Sequence, residues 1–340
     1  MKKAKIGVVS FAHPHALSYV TCIKQLDNTE LCGITDRDKH RGKEMAIKFG
    51  TKFYNSINEL LSKANPDAVI VTSENRFHYQ DCVPAAEEGV NILCEKPMTT
   101  RLEDAEKLVK MVNNTGIVFQ MCYVMRYHRV ALTVKELIEK EVIGNVKVMI
   151  GTNKLNITNI LIADWFTNPD LSGGGAVMDH TVHLSDLMRW YCEKEARRVY
   201  SIVGDNIFKQ LKVEDHFFTI IEFEDNVVGS IDGSWCIPEN YPTWGEVGMN
   251  IYGDKGAIII DAFNQYLKLI SGRRNAKPII YRYYGCNADL EMIREFAECV
   301  LNGIKETRAD VVDGLRGVEI TLASYESIKK GEAVDITSRI

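Results

Sequence analysis

The chain has 340 residues, of which 46% are hydrophobic and 26% charged, and its formal charge at pH 7 is −5. This composition is typical of a globular protein with enough sequence for two domains, and the negative charge argues against nucleic acid or an anionic membrane as main partner. The nine cysteines form no CxxC pair or zinc-like cluster, and no apolar run approaches membrane-spanning length, so we expect reduced thiols in a cytoplasmic protein.

Residues 1–122 alternate between short apolar runs and helical segments. Strands are predicted at 5–10, 30–35, 52–54, 68–72, 90–94 and 117–122, and helices at 14–25, 39–49, 57–63, 79–88 and 102–113. Alternation at this spacing predicts a doubly wound parallel sheet of the Rossmann type over 1–122, a fold that commonly binds a dinucleotide.

The first strand–helix turn lacks the G-x-G-x-x-G fingerprint of dinucleotide-binding proteins. Its position is taken by the run Ser10-Phe11-Ala12-His13-Pro14-His15. The small residues of this run still allow a ligand to approach the backbone, and the helix N-terminus remains an anion site. Asp36, directly after the second strand, is placed to bind a ribose diol and favours NAD over NADP, although Arg37 beside it weakens that preference.

An apolar run ends at Glu95-Lys96-Pro97, at the carboxyl end of a predicted parallel strand, where such sheets bind ligands. Pro97 restricts Lys96 to an extended conformation or takes a cis bond, and either would direct the lysine side chain. Taken alone, the triplet is better explained as a solvated Glu/Lys pair at a strand end.

The pattern changes from residue 123 onwards, and 123–340 are expected to form an α+β domain for substrate binding and oligomerisation. Strands are predicted at 145–151, 199–203, 215–223, 227–235, 247–252, 257–261 and 279–284, and helices at 133–140, 289–301 and 311–327. These strands predict an open, mostly antiparallel sheet with one face to be covered, and the last helix could pack back on the first domain.

A glycine triplet, Gly173 to Gly175, precedes a helix that begins at Ala176. Three glycines suit a place where the backbone approaches a ligand closely. Asp179, His183 and Asp186 share one helix face, and a carboxylate one turn from an imidazole suits general acid/base chemistry. A solvated polar stripe is the competing interpretation. No cysteine or third histidine joins them at suitable spacing, so no metal site is expected.

Four further positions, one arginine and three tryptophans, are open to a functional and a structural interpretation. Arg126 either lines a substrate site or belongs to a surface turn. Trp165 could stack on a sugar face, but core or interface packing is the simpler interpretation for it and for Trp235 and Trp244.

These segments together resemble the Gfo/Idh/MocA family of NAD(P)-dependent oxidoreductases, which includes glucose–fructose oxidoreductase and inositol dehydrogenase. The resemblance rests on Glu95-Lys96-Pro97, on the loop from Thr72 to His78, on the glycine triplet with its Asp/His helix, and on the turn Gly253-Asp254-Lys255-Gly256, all in the family's order. Two departures are the replaced glycine fingerprint and the pair His180-Thr181, where Thr181 replaces a family glycine.

The resemblance implies a set of functional residues. The catalytic set is Lys96, His183 and Asp179; the cofactor-binding set is Ser10, Phe11, Ala12, His13, His15, Asp36, Arg37, Thr72, Ser73, Asn75, His78, Glu95 and Lys96; the substrate-binding set adds Arg126, Trp165 and His180. Whether Lys96 or His183 takes the proton is left open.

The leading hypothesis is an NAD(H)-dependent oxidoreductase that acts on a secondary hydroxyl of a sugar, cyclitol or sugar derivative, in a homodimer or homotetramer. Two alternatives remain. One is redox-neutral, NAD-assisted elimination or glycoside cleavage, and the other is a non-catalytic NAD-binding regulatory protein.

Overall fold

A computed structural model describes residues 2–161, 163–241, 243, 245–263, 266–270, 279–283 and 285–337, without the side chains of 266–270 and 279–283. Trp244 and the last residue of the strand predicted at 279–284 lie outside this set. The described residues form two large sheets, each covered by helices, with the chain passing from the first sheet to the second after residue 121.

The first sheet is a six-stranded parallel sheet in the order β3-β2-β1-β4-β5-β6. Its strands are β1 Ala4–Val9, β2 Thr29–Thr35, β3 Phe53–Tyr54, β4 Ala68–Val71, β5 Asn91–Cys94 and β6 Phe119–Met121, and the helices between them are α1 His15–Gln25, α2 Lys39–Phe49, α3 Ile57–Ala64, α4 His78–Glu87 and α5 Leu102–Thr115. The central strand β4 is apolar and fully buried because helices cover both faces of the sheet. The predicted Rossmann-type sheet is therefore confirmed.

The second sheet has seven strands in the order β12-β11-β7-β10-β9-β8-β15. Its strands are β7 Val146–Leu155, β8 Ala196–Val203, β9 His216–Phe223, β10 Val228–Ser234, β11 Gly245–Gly253, β12 Ala257–Asp261 and β15 Val334–Asp335; β13 Tyr266–Ile270 and β14 Ile279–Tyr283 pair separately. The pair β7–β10 is parallel and the other pairs are antiparallel. The open, mostly antiparallel sheet is confirmed, with one parallel pair that the sequence did not indicate.

The remaining helices cover one face of this sheet or return to the first one. They are α6 Arg129–Glu139, α7 Ile157–Ile160, α8 Pro169–Ser172, α9 Ala176–Cys192, α10 Ala288–Asn302 and α11 Val311–Lys330. Helix α9 packs on β7 and β10, whereas α10 and α11 both contribute buried side chains to the cores around the first sheet. The C-terminal part of the chain thus joins the two sheets and encloses a cleft between them.

None of the helices in the described ranges combines the length and the apolar character that crossing a bilayer requires.

Candidate active site

A buried ion pair joins the two halves of the molecule. Lys96 follows β5 at the carboxyl edge of the parallel sheet, next to a cis Lys96–Pro97 bond, and its Nζ donates to Asp179 Oδ1 at 2.5 Å. The indole Nε1 of Trp235, at the end of β10, donates to Asp179 Oδ2 at 3.1 Å. Burial alone would raise the pKa of Asp179, but the charge and the hydrogen bond of Lys96, together with the neighbouring histidines, outweigh it and hold that pKa well below its usual range.

Two imidazoles lie beside this pair on α9. Burial, together with the charge of Lys96, lowers the pKa of His183 to about 3, and burial also lowers the pKa of His180. Both rings are therefore neutral near pH 7. Among the described residues, neither His183 Nδ1 nor His180 Nε2 has a hydrogen-bond partner, although both are buried. Two ring nitrogens are thus available to a ligand beside Lys96.

These side chains border a cavity of about 710 Å³ that lies between the two sheets. Its lining includes Lys96, Asp179, His180, His183, His13 and His15 on the polar side, and Val124, Leu155, Ile160, Phe166, Val247 and Phe263 on the apolar side. A cavity of this size with a few converging polar groups is typical of a small-molecule site. The structure therefore brings together the residues predicted to be catalytic, and their roles stay predictions.

The glycine triplet does not approach this cavity as expected. Instead, side chains of this protein bind its main-chain N–H groups. Glu214 Oε1 accepts from the N–H groups of Gly175 and Val177, and the Tyr325 hydroxyl donates to the same carboxylate oxygen at 2.7 Å. A Cβ atom on Gly175 would lie 2.1 Å from the Glu214 main-chain oxygen. The triplet is required because the N-terminus of α9 is capped by a carboxylate from a distant loop.

The turn that replaces the glycine fingerprint is held by hydrogen bonds within the protein. The five main-chain N–H donors of residues 10–15 are all used: Ser10 N to Thr35 O, Phe11 N to Asp36 Oδ2, Ala12 N to Ser10 Oγ, His13 N to Thr72 O, and His15 N to His13 Nδ1. Pro14 has no N–H group. The predicted anion site at this helix N-terminus therefore has no free main-chain donor in the turn.

The Asp36 carboxylate is also hydrogen-bonded within the protein, whereas the sequence predicted that it would bind a ribose diol. Arg41 Nε and one terminal nitrogen each donate to its carboxylate at 2.8 Å, and the N–H groups of Phe11 and Asp38 also donate to it. Arg37 instead pairs with Asp81 at 2.6 Å and stacks on Phe77. A ribose at Asp36 would have to displace Arg41.

The loop after β4 lies between the turn and Lys96. Thr72 Oγ1 donates to Ser10 O at 2.7 Å, and the His78 ring lies 2.7 Å from Pro97 O and 3.0 Å from Ser73 O. His78 thus holds the segment that carries Lys96. Ser73 Oγ and Asn75 Oδ1 are buried without a hydrogen-bond partner in the described part of the chain. Unpartnered buried polar atoms on this loop fit a bound polar ligand.

Glu95 is fully buried and organises the start of α1. Its Oε1 accepts from Tyr19 at 2.6 Å and contacts His15 Nδ1 at 2.7 Å, while its Oε2 accepts from Lys96 N. Although burial by itself lowers the pKa of His15, the charge and the hydrogen bond of Glu95 and the charge of Asp289 together outweigh it and raise that pKa. Potential ligand atoms of His13, His15 and Glu95 lie within 4.8 Å of one another, so these three could hold a metal ion. The expectation of no metal site stays a prediction.

The structure does not bring Arg126 and Trp165 to the cavity. The Arg126 guanidinium binds both carboxylate oxygens of Asp186 and also pairs with Asp313. Trp165 donates from Nε1 to Ala12 O at 3.0 Å and stacks on Phe166, which does line the cavity. Arg126 therefore joins elements of the second half, and Trp165 fixes the β1–α1 turn.

Sequence reasoning missed three partners of these groups: Arg41, Glu214 and the Trp235 indole. Arg41 lies five residues after Asp36, on helix α2, so an ion pair between the two could have been expected from the sequence. Glu214 and Trp235 meet α9 only through the pairing of strands in the second sheet, so no local pattern could have identified them.

A Rossmann domain joined to an open sheet domain, with buried titratable groups in the cleft between them, defines the class of dinucleotide-binding oxidoreductases. A model of the oxidoreductase family with an NAD-binding Rossmann fold matches residues 2–123, and a model of the GFO/IDH/MocA C-terminal domain matches residues 131–259. The chain belongs to the Gfo/Idh/MocA family, as the sequence motifs indicated.

Relatives and solved structures cover nearly the whole chain. Myo-inositol 2-dehydrogenase of Thermotoga maritima is 24% identical over 333 residues, 96% of either chain. A 2,7-anhydro-N-acetylneuraminate hydratase of Mediterraneibacter gnavus is 26% identical over 230 residues, 66% of this chain and 59% of that protein.

Two solved structures share the fold at 20% identity. One is GenD2 from gentamicin A biosynthesis in complex with NAD, with a TM-score of 0.88 over 99% of this chain and 97% of that one. The other is scyllo-inositol dehydrogenase of Lactobacillus casei with NAD(H) and scyllo-inositol, with a TM-score of 0.86 over 99% of this chain and 100% of that one. The family's members thus include enzymes of cyclitols and of a sugar acid derivative.

Proposed function

We propose that this chain is an NAD(H)-dependent oxidoreductase that transfers hydride to or from a secondary hydroxyl carbon of a sugar, cyclitol or sugar derivative. The observation that carries the proposal is the buried Lys96–Asp179 pair at 2.5 Å, which borders a cavity beside a neutral His183. Such an arrangement handles a hydroxyl proton next to a hydride acceptor.

The residues around the cleft fit a bound dinucleotide. Ser73 and Asn75 carry buried polar atoms without a partner among the described residues, and they would hold the cofactor together with the turn at residues 10–15 and the segment around Lys96. The cofactor supplies the nicotinamide ring that accepts or returns the hydride. We assign NAD as the cofactor, because the family model that matches residues 2–123 is that of an NAD-binding Rossmann fold.

Each side chain has a distinct role in proton transfer. His183 is neutral above about pH 3, so its ring can accept a hydrogen bond and then the proton from the hydroxyl. The Lys96 ammonium stabilises the negative charge that develops on the oxygen, and Asp179 fixes the position of Lys96.

A second titratable pair at the same cavity favours one alternative function. His15, with its raised pKa and its Glu95 partner, could serve an elimination that follows transient oxidation, and a hydratase is among the relatives. Such a reaction needs a second acid/base group and gives no net reduction of the cofactor.

The experiment is a panel of cyclitols, free sugars and glycosides with NAD, followed at the absorbance band of the reduced nicotinamide. The proposal predicts that the band grows with at least one substrate. Product formation without this band would favour the redox-neutral alternative. Tight NAD binding with no product from any compound would favour a regulatory protein.

A further inference from the structure

The turn between β1 and α1 cannot hold a phosphate in the way a glycine-rich turn does. In the glycine-rich version, main-chain N–H groups point at the pyrophosphate. Here all five main-chain N–H groups of residues 10–15 already have an acceptor, which belongs to Thr35, Asp36, Ser10, Thr72 or His13. A dinucleotide in this cleft therefore needs another donor at this position.

The hydrogen bonds of the turn fix the tautomer of His13. The His15 N–H donates to His13 Nδ1 at 3.2 Å, so Nδ1 must carry a lone pair. Burial lowers the pKa of His13 well below its usual range, so the ring is neutral and its single proton lies on Nε2.

This Nε2–H group is a buried donor without a partner. The His13 side chain is 3% exposed, and its Nε2 has no hydrogen-bond acceptor in the ranges that the structure describes. An unpaired buried donor is unfavourable, so such groups in folded proteins generally meet a ligand or a bound water. His13 also lines the 710 Å³ cavity beside Lys96 and His15.

We infer that His13 donates through Nε2–H to the pyrophosphate of the dinucleotide, in place of the main-chain cradle of a glycine-rich turn. This inference rests on the proposed function and extends it to a residue of unusual type. A diphosphate oxygen only accepts hydrogen bonds, which matches a lone buried donor. Trp165, through its bond to Ala12 O, holds the turn in this arrangement.

Two substitutions separate the donor from the structural role of the ring. In His13→Asn the side-chain oxygen can still accept the His15 N–H at the position of Nδ1, but nothing reaches the position of Nε2. In His13→Gln the amide nitrogen reaches the position of Nε2 and restores the donor. His40→Asn is the matched control, because His40 is 84% exposed on α2.

The measurement is the affinity for NADH and for ADP-ribose by calorimetry, with adenosine measured by competition against NADH. We expect His13→Asn to weaken NADH and ADP-ribose binding by about tenfold or more, the effect of one hydrogen bond to a charged group. Adenosine affinity should change by less than about twofold. The affinities of His13→Gln for NADH and for ADP-ribose should lie within about threefold of those of the unmodified protein.

Any of the following outcomes would overturn the inference. Unchanged affinity in His13→Asn would show that Nε2–H makes no contact, and an equal loss for adenosine would place the contact elsewhere. Equal losses in both variants, at unchanged thermal stability, would show that the ring's shape matters and its donor does not. If the unmodified protein binds neither NADH nor ADP-ribose, the proposed function fails together with the inference.

Discussion

Asp179 connects Lys96 of the first half of the molecule to Trp235 of the second half. Its two carboxylate oxygens accept one hydrogen bond each, from Lys96 and from Trp235. Lys96, Asp179 and His183 could be found in the sequence because each belongs to a motif whose spacing defines a strand end or a helix face. The Trp235 contact could not, because it depends on where β10 ends relative to α9.

We expect Trp235→Phe to destabilise the protein by about 1–3 kcal/mol, because a buried carboxylate oxygen loses its donor and the smaller ring leaves a cavity. Turnover should fall several-fold as Asp179 holds Lys96 less firmly. Urea unfolding measures the first effect. Trp190→Phe, at a half-buried tryptophan outside the cavity, is the control, and equal stability losses in both variants would contradict the role of the indole N–H.

The His15–Glu95 pair gives a pH dependence of stability. His15 has a raised pKa, so its contribution is complete below its unfolded value of 6.5 and is lost as pH rises through the folded pKa. Glu95 has a lowered pKa, so its contribution is present above 4.5 and is lost as pH falls. The pair therefore stabilises the fold most between these two values.

His15→Asn should accordingly lower the free energy of unfolding by about 1–3 kcal/mol near pH 5.5 and by less near pH 8.5. Urea unfolding across this range measures the difference, with His40→Asn as control. A loss that stays constant with pH would mean that the charge of His15 does not contribute.

At the scale of elements, the start of α9 shows what a sequence motif can and cannot predict. Three consecutive glycines correctly indicated that something approaches the backbone closely at residues 173–175. The identity of that group was predicted wrongly, because Glu214 and Tyr325 reach the helix from segments 40 to 150 residues away in the chain. The hydrogen bonds of the turn at residues 10–15 could not be predicted either, because their acceptors include groups at the ends of neighbouring strands.

Gly175→Ala should destabilise the protein by about 1–3 kcal/mol or more, because the new methyl group would lie 2.1 Å from a main-chain oxygen of Glu214 that cannot move freely. Thermal unfolding measures the change. Gly256→Ala is the control, since its nearest neighbour would lie at an ordinary 3.4 Å. Equal melting temperatures for the two variants would contradict the tight contact at Gly175.

At the scale of the whole molecule, one face of the second sheet is not covered by any helix of the described residues. Cross-strand pairing places Ile150, Ser230, Ile220 and Tyr200 in one row on that face, and the three larger side chains are more than a third exposed. Strand–helix alternation was enough to predict the parallel sheet, but the parallel pairing of β7 with β10 joins distant segments and has no local signal.

This apolar face supports the prediction of a homodimer or homotetramer built through the second sheet. The double variant Ile150→Lys with Ile220→Lys should shift the protein towards the monomer in sedimentation velocity, because four charges would be buried in a two-fold contact. Ile47→Lys, at a side chain 82% exposed on α2, should leave the assembly unchanged. A monomeric unmodified protein would contradict this prediction.

The central claim is that Lys96 and His183 together carry proton transfer in one cleft, and turnover of the substrate found in the compound panel tests it most directly. We expect Lys96→Met and His183→Asn each to reduce the rate of nicotinamide reduction by about 10²-fold or more, with NADH affinity retained by His183→Asn. If either variant turns over this substrate at the rate of the unmodified protein, the account is wrong.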